Sequence, residues 1–303
     1  MEQKRVMAAG HLMAFLAILI WGSTYISTKT LLIDFSPLEI LVFRFTIGFI
    51  TLFLVHPKML KTKGWREEML FALAGLCGIT LYFLLENIAL TYTLASNVGI
   101  IVSMAPFFTG VLSHFLLKGE RFRPQFFIGF VVALTGIFLI GYNTKQVLSL
   151  NLIGDILALL AALAFALYSV LMRKVRSLGY HTISSTRRVF FYGLLFMVPA
   201  GLRMEFSLDL SRFSNPSNLF HLLFLGLMAS ALCFVGWNWA VGILGAVKTT
   251  LYIYIVPVVT VLASALFLHE KVTPVAMLGA FLALVGMFIA EYRAAKPAVQ
   301  EAG

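Results

Sequence analysis

Charge is scarce in this sequence. Only 12% of its 303 residues are Asp, Glu, Lys or Arg, where an ordinary soluble domain carries about a quarter. With 60% hydrophobic residues, that scarcity excludes a water-soluble globular fold and leaves little length for a soluble appendage. Cysteine is scarcer still: the two present, Cys77 and Cys233, each sit inside an apolar run. Neither belongs to an oxidised extracellular framework, and both read as packing residues. Acidic residues number 13 against 23 basic ones, yet the basic residues lie between apolar runs and form no tract with interleaved aromatics. That spacing favours a membrane surface as partner and speaks against nucleic acid. The six histidines are scattered, and no His-Glu-x-x-His, Cys-x-x-Cys, Gly-x-Ser-x-Gly or Walker pattern occurs. Nothing therefore supports a metal, a cofactor, acyl transfer or ATP-driven pumping.

What is abundant is apolar length. Runs extend over about His11–Ile33, Leu38–Val55, Met69–Tyr92, Leu94–Leu117, Phe126–Gly141, Leu152–Met172, Thr182–Leu202, Leu219–Val241, Ala246–Leu268 and Val275–Tyr292. Each approaches the roughly 20 residues that a helix needs to cross a bilayer, about twice the length of a barrel strand. In hydrocarbon a helix satisfies its own backbone hydrogen bonds, so the expected fold is an all-α integral membrane protein of ten transmembrane helices. The first run follows Lys4 and Arg5 as a secretory signal would, but it is too long and no small-residue cleavage site closes it. Fourteen Lys and Arg residues fall in the loops of one side: Lys4, Arg5, Lys58, Lys61, Lys63, Arg66, Lys118, Arg121, Arg123, Arg173, Lys174, Arg176, Arg293 and Lys296. The other side has Lys29, Lys145, Arg203, Arg212 and Lys271. Positive charge resists translocation, so both termini are expected in the cytoplasm. The longest outer loop, about Arg203–Asn218, reads as an ordinary solvated turn around Asn215 and Pro216.

Residues 1–145 laid over 150–292 match. Trp21 and Lys29 fall on Phe165 and Arg173, Arg44 and Phe45 on Arg188 and Val189, Asn87 and Pro106 on Asn238 and Pro257, and Glu120 on Glu270. Two modules, 1–145 and 146–303, follow. Each holds five helices, an odd number, so the second must enter the membrane from the opposite side. Inverted repeats of this kind build many secondary transporters, whose halves rock about a shared midplane site; a channel can be built the same way. The stripes Gly129, Ala133, Gly136 and Gly279, Ala283, Gly286 recur at helical spacing and let helices approach closely. Pro106 and Pro257 each interrupt a helix and free the carbonyls of Val102 and Ile253, which must find other partners. The two prolines border a substrate path or form packing kinks.

These residues resemble the drug/metabolite transporter superfamily, in its ten-helix form with two EamA-like repeats. Trp21, Gly22, Ser23 and Tyr25, then Arg44-Phe45, then Ala89 through Tyr92 to Ala95 and Ser96, then Pro106 and Leu116 to Glu120 carry the likeness in the first half. Leu268, Glu270 and Gly279 to Gly286 carry it in the second. The likeness implies a 5+5 inverted-repeat carrier of small organic solutes, often exported, amino acids and related metabolites among them. It also implies a cavity formed by helices 1, 3, 4, 6, 8 and 9. Trp237 to Ala240 and Lys248 depart from the usual pattern.

Glu86 is the one carboxylate well inside an apolar run. A charge at that depth costs about 2.5–3.5 kcal/mol on insertion scales, so it faces a cavity or partner or is protonated, and it is the candidate proton-coupling group. The plain alternative is a structural carboxylate near the helix end. Tyr82 shares its helix face, and Asn87 lies beside it. The paired Asn87 and Asn238 either bind solute or tie helices together. Trp21, Tyr25, Ser103, Tyr168, Trp237 and Tyr254 complete the candidate solute-binding set, with core packing as the rival for the aromatics. Arg44 and Arg188 read as snorkelling residues, with anion binding or an ion pair as the alternative. The expected function is export of small organic metabolites by alternating access, with proton coupling through Glu86. A passive channel and an intramembrane enzyme are the other readings. The enzyme would need clustered acid and base groups, and the sequence offers a single carboxylate.

Overall fold

The computed structural model describes residues 2–92, 95–117, 124–142, 151–202, 206–207, 209–259, 262 and 274–291. Among them there is no strand, and the regular elements are all helical. Helix α1 spans Glu2–Leu31 and α2 Pro37–Val55. The third apolar run is α3 (Trp65–Gly75), a π-helical stretch Leu76–Leu81, and α4 (Tyr82–Tyr92). The fourth is broken into α5 (Ala95–Val102) and α6 (Ala105–Leu116), and α7 runs over Pro124–Tyr142. The second half follows with α8 (Leu152–Ser177) and α9 (Thr182–Gly201). Then come α10 (Pro216–Leu223), a π-helical stretch Phe224–Leu232, and α11 (Cys233–Leu244). Helix α12 (Ala246–Leu251) passes through a 3-10 turn, Tyr252–Ile255, and α13 spans Pro274–Glu291.

Among the described residues six helices are long and apolar enough to cross a membrane: Lys4–Thr28, Pro37–Val55, Trp65–Tyr92, Val98–Leu116, Leu152–Ser177 and Pro216–Leu244. Shorter apolar helices occupy Pro124–Ile140, Ala246–Val259 and Met277–Ala290. Their outward faces are apolar too, with Ile128, Val131, Phe138, Phe281 and Phe288 all exposed. A surface of that kind is stable against lipid and not against water. The chain is a multi-pass membrane protein.

Local chemistry sets the helix ends. Ser36 and Glu39 form a reciprocal capping box at the start of α2, Asn151 caps α8 by accepting from the Gly154 amide at 3.1 Å, and Gly245, at φ 90°, makes the turn between α11 and α12 that a side chain would strain. Pro106 stands at the start of α6, so the turn ahead of it, Ser103–Met104, leaves the helix. Pro257 follows the 3-10 turn of the ninth run in the same way. A proline lacks the N–H and crowds the preceding turn, which is why both runs bend where they do.

The two halves exchange partners. Helix α1 packs on α11, and α8 packs on α4 and the π-helical stretch before it. Gly10 faces Ile243 and Leu244 while the Trp21 indole reaches Ala229, so α1 and the segment it rests on run in opposite directions. The π-helical stretch Leu76–Leu81 falls on residues 227–232 at the same offset that lays Asn87 on Asn238. Helices α7 and α13 cross in opposite senses: Gly129 lies against Gly286 and Ala290, and Gly136 against Gly279 and Ala283. The contact is backbone on backbone, which only residues without large side chains allow.

The loop around Arg212 differs from the solvated turn expected of it. Arg212 forks onto Glu39 with both nitrogens at 3.1 Å, donates to the Asp34 carbonyl at 2.8 Å and stacks 4.5 Å over Phe35. The Ser207 amide donates to Glu39 at 2.6 Å and Asn218 to Asp34 at 2.7 Å. The fork raises the Arg212 guanidinium further above its ordinary range. The capping carboxylate of α2 thus recruits the loop from the other half of the chain. At the opposite end of the bundle Arg188 pairs with Glu68 at 2.6 Å, and Arg187 donates to the His56 carbonyl at 2.5 Å and the Lys58 carbonyl at 2.6 Å. Tyr180 and Tyr192 donate to Glu67 and Glu68 there.

Candidate functional site

A small cavity opens between the halves. Helix α1 contributes Ile18, Trp21, Thr24 and Thr28, which share one face at helical spacing. Helix α2 contributes Arg44; α4 contributes Tyr82, Phe83, Glu86, Asn87 and Leu90. The end of α5 and the turn before Pro106 add Gly99, Val102 and Ser103. Phe165 of α8, Phe234 of α11, and Ile253 and Val256 around the break before Pro257 close the far side. Both proline breaks therefore put their preceding turn on the cavity wall.

The wall is chemically lopsided. Every polar side chain on it comes from the first half, and the second half supplies only apolar ones. The Tyr82 hydroxyl donates to Glu86 Oε1 at 2.9 Å. Glu86 and Asn87 are buried, at 6% and 3% exposure. Trp21 donates its indole N–H to the Ala229 carbonyl at 2.9 Å and packs its ring among Phe165, Phe234 and Trp237 at 5.0–6.2 Å. Its nitrogen is committed, so only the ring edge and face are available to a solute. Ser103 donates to the Gly99 carbonyl at 2.7 Å, a bond that holds the broken turn.

Of the residues singled out from sequence, Trp21, Tyr82, Glu86, Asn87 and Ser103 come together on this wall. Trp237, Tyr168, Asn238 and Tyr254 sit behind it in the core, each at 2% exposure or less. The Tyr25 side chain, Glu120 and Glu270 lie outside the described residues. The two equivalent asparagines have different surroundings. Asn238 accepts from the Tyr168 hydroxyl at 2.6 Å and donates to Thr186 at 3.0 Å, so it ties α11 to α8 and α9. Asn87 borders the cavity. Asn238→Ala is expected to cost about 2 kcal/mol, because a buried hydroxyl loses its acceptor. Asn87→Ala is expected to cost clearly less, because no buried hydroxyl among the described residues depends on Asn87 as its acceptor. Thermal unfolding in detergent compares them, and equal losses would contradict the distinction.

Arg44 does not snorkel. It is 3% exposed, donates its Nε–H to Ser230 at 3.0 Å, and lies 4.7 Å from the Phe83 ring and 5.0 Å from the Phe45 ring. The side chain turns inward because α2 faces the π-helical stretch holding Ser230, which offers an acceptor, and Phe83 of α4, which with Phe45 of α2 offers two ring faces. The readable signal was an arginine within a run of otherwise apolar residues, seen in sequence but assigned to the headgroups. Arg188 takes the ion-pair alternative with Glu68. Thr24 and Thr28, one and two turns past Trp21, carried a period-of-four signal that pointed to the same face.

A multi-pass helical bundle with a partly polar cavity where its halves meet fits the class of membrane transport proteins. The EamA-like transporter family matches the chain twice, over residues 8–142 and 152–292. The chain belongs to that family. An uncharacterized transporter of Archaeoglobus fulgidus is 26% identical over 283 residues, covering 92% of this chain and 96% of its own. The uncharacterized transporter YvbV of Bacillus subtilis is 29% identical over 266 residues, covering 86% and 84%. A crystal structure superposes with a TM-score of 0.76 at 19% identity, over 94% of this chain and 97% of that one, a likeness of fold.

Proposed function

We propose that the protein is a secondary transporter that exports small organic metabolites, amino acids and related compounds, by alternating access between two inverted five-helix modules, 1–145 and 146–303. One observation supports the reading: a cavity is lined by polar and charged side chains from the first half of the sequence and apolar ones from the second. The antiparallel crossing of α7 and α13 and the exchange of partners between α1 and α8 support the inversion. In this reading ten helices cross the inner or plasma membrane with both termini in the cytoplasm. The gathering of the basic 56–63 loop against the start of α9, where His56 stacks on His181 at 4.3 Å, agrees with that orientation. Inter-module bonds at both ends, Glu39 with Arg212 and Glu68 with Arg188, supply contacts that open in turn.

Glu86 is the coupling group in this reading. A carboxylate that faces a chamber and takes a bond from Tyr82 changes charge as it binds or releases a proton, and its cost in a low dielectric ties that change to the chamber's access. Glu86→Gln in liposomes is expected to abolish acceleration of export by an opposing proton gradient while counterflow persists with weaker solute affinity. A full response to the gradient in the variant would remove Glu86 from the coupling. Equilibration of solute without counterflow would make the protein a passive facilitator.

A further inference from the structure

We propose that Arg44 binds the carboxylate of the transported solute, and that the solute is accordingly a zwitterion of the amino-acid class with an apolar side chain. The proposal rests on the transporter reading and names its substrate class. Its warrant is an incomplete site. A guanidinium carries five N–H donors in a rigid fork. In Arg44 the Nε–H is taken by Ser230. Among the described residues no hydrogen bond or ion pair engages its two Nη groups, and Arg44 borders the cavity at 3% exposure. A buried cation with four donors unused is costly unless anionic oxygens complete it. The Phe45 and Phe83 rings hold the plane of the fork, and the Ser230 bond fixes its far edge. What remains is the edge whose geometry matches two carboxylate oxygens.

The same chamber narrows the ligand further. Glu86 lines the same cavity as Arg44, so its carboxylate would repel the second negative charge of a dianion such as a phosphate ester. A single carboxylate joined to an ammonium group satisfies both ends. Phe165, Phe234, Ile253 and Val256 make the opposite wall apolar, a surface that fits a hydrophobic side chain and not a second charge.

The test uses the purified full-length protein in nanodiscs. Thermal-shift titrations compare each neutral L-amino acid with its decarboxylated amine and its carboxamide. At least one amino acid is expected to bind saturably, with its amine and carboxamide about 100-fold weaker, since the buried fork then loses its charged partner. Arg44→Gln is expected to lose about 100-fold in affinity, Arg44→Lys about tenfold, and Ser230→Ala an intermediate amount. The ligand series runs on the unaltered protein, so it decides the matter even if Arg44→Gln does not fold. Amines or carboxamides that bind as tightly as the acid, preference for phosphate esters, or unchanged affinity in folded Arg44→Gln would overturn the proposal. Saturable counterflow of some other solute in liposomes would then leave the transporter reading standing. Absence of counterflow for every solute would overturn both.

Discussion

Gly136→Leu, and separately Gly286→Leu, are expected to prevent α7 and α13 from docking and to leave little monodisperse protein. A Cβ at Gly136 would fall against the Gly279 carbonyl and the Ala283 amide, and one at Gly286 against the Gly129 carbonyl and the Ala133 backbone. Those are main-chain atoms, which cannot rotate aside as a side chain can. Overpacking that side chains absorb costs about 1–3 kcal/mol. Here the two helices must separate along their shared face, and each gives up its close-packed contacts with no hydrophobic effect in lipid to replace them. The control is Gly64→Leu, since a Cβ there meets nothing within 4 Å. Size-exclusion profiles and unfolding midpoints of the variants check the expectation, and equal behaviour of Gly136→Leu and Gly64→Leu would refute it.

Arg212→Ala is expected to destabilise the protein by about 3 kcal/mol, the second large effect. The Glu39 carboxylate is 3% exposed and its arginine partner 17%. Removing the arginine leaves a buried anion held only by the Ser36 and Ser207 amides, at 2.7 and 2.6 Å. Breaking one side of such a pair leaves the other charge uncompensated. Glu39→Gln is expected to cost a comparable amount, because it removes the fork and part of the capping box together. The double variant should cost clearly less than the two losses added, since the same interaction is removed twice. Additive losses would show that Glu39 and Arg212 act independently and that the loop is not a clasp. The same cycle on Glu68 and Arg188 is expected to give a smaller coupling, because those side chains are 22% and 28% exposed and water screens them.

Much of the site was legible residue by residue. Glu86, Asn87, Tyr82, Trp21 and Ser103 announce themselves because a polar or amphipathic group inside an apolar run has a cost that a cavity relieves. They do line one. Asn87 and Asn238 show the limit. Their positions in the repeat are equivalent and their environments are not: Tyr168 and Thr186 satisfy Asn238, whereas Asn87 stands at the cavity wall. A sequence repeat carries register from one half to the other, but not which neighbours each half has changed. Arg44 failed for a related reason. Depth along a helix is readable from sequence, but rotation toward lipid or interior depends on the helices that surround it. The clasp at Arg212 was hidden because its partners, Asp34 and Glu39, lie far away in the chain.

The amino-acid sequence alone was enough to establish a helical membrane protein, its proline breaks, its close-packing stripes and its internal duplication. Each of these follows from local composition, from the backbone's need for hydrogen bonds in lipid, or from spacing along one chain. Only the folded structure decided that the first half supplies the polar wall and the second the apolar one, that Arg44 turns inward, and that the loop around Arg212 locks onto Glu39. Those outcomes depend on which faces of distant helices meet. Contacts of that kind are settled by packing and charge pairing between segments that no local pattern connects.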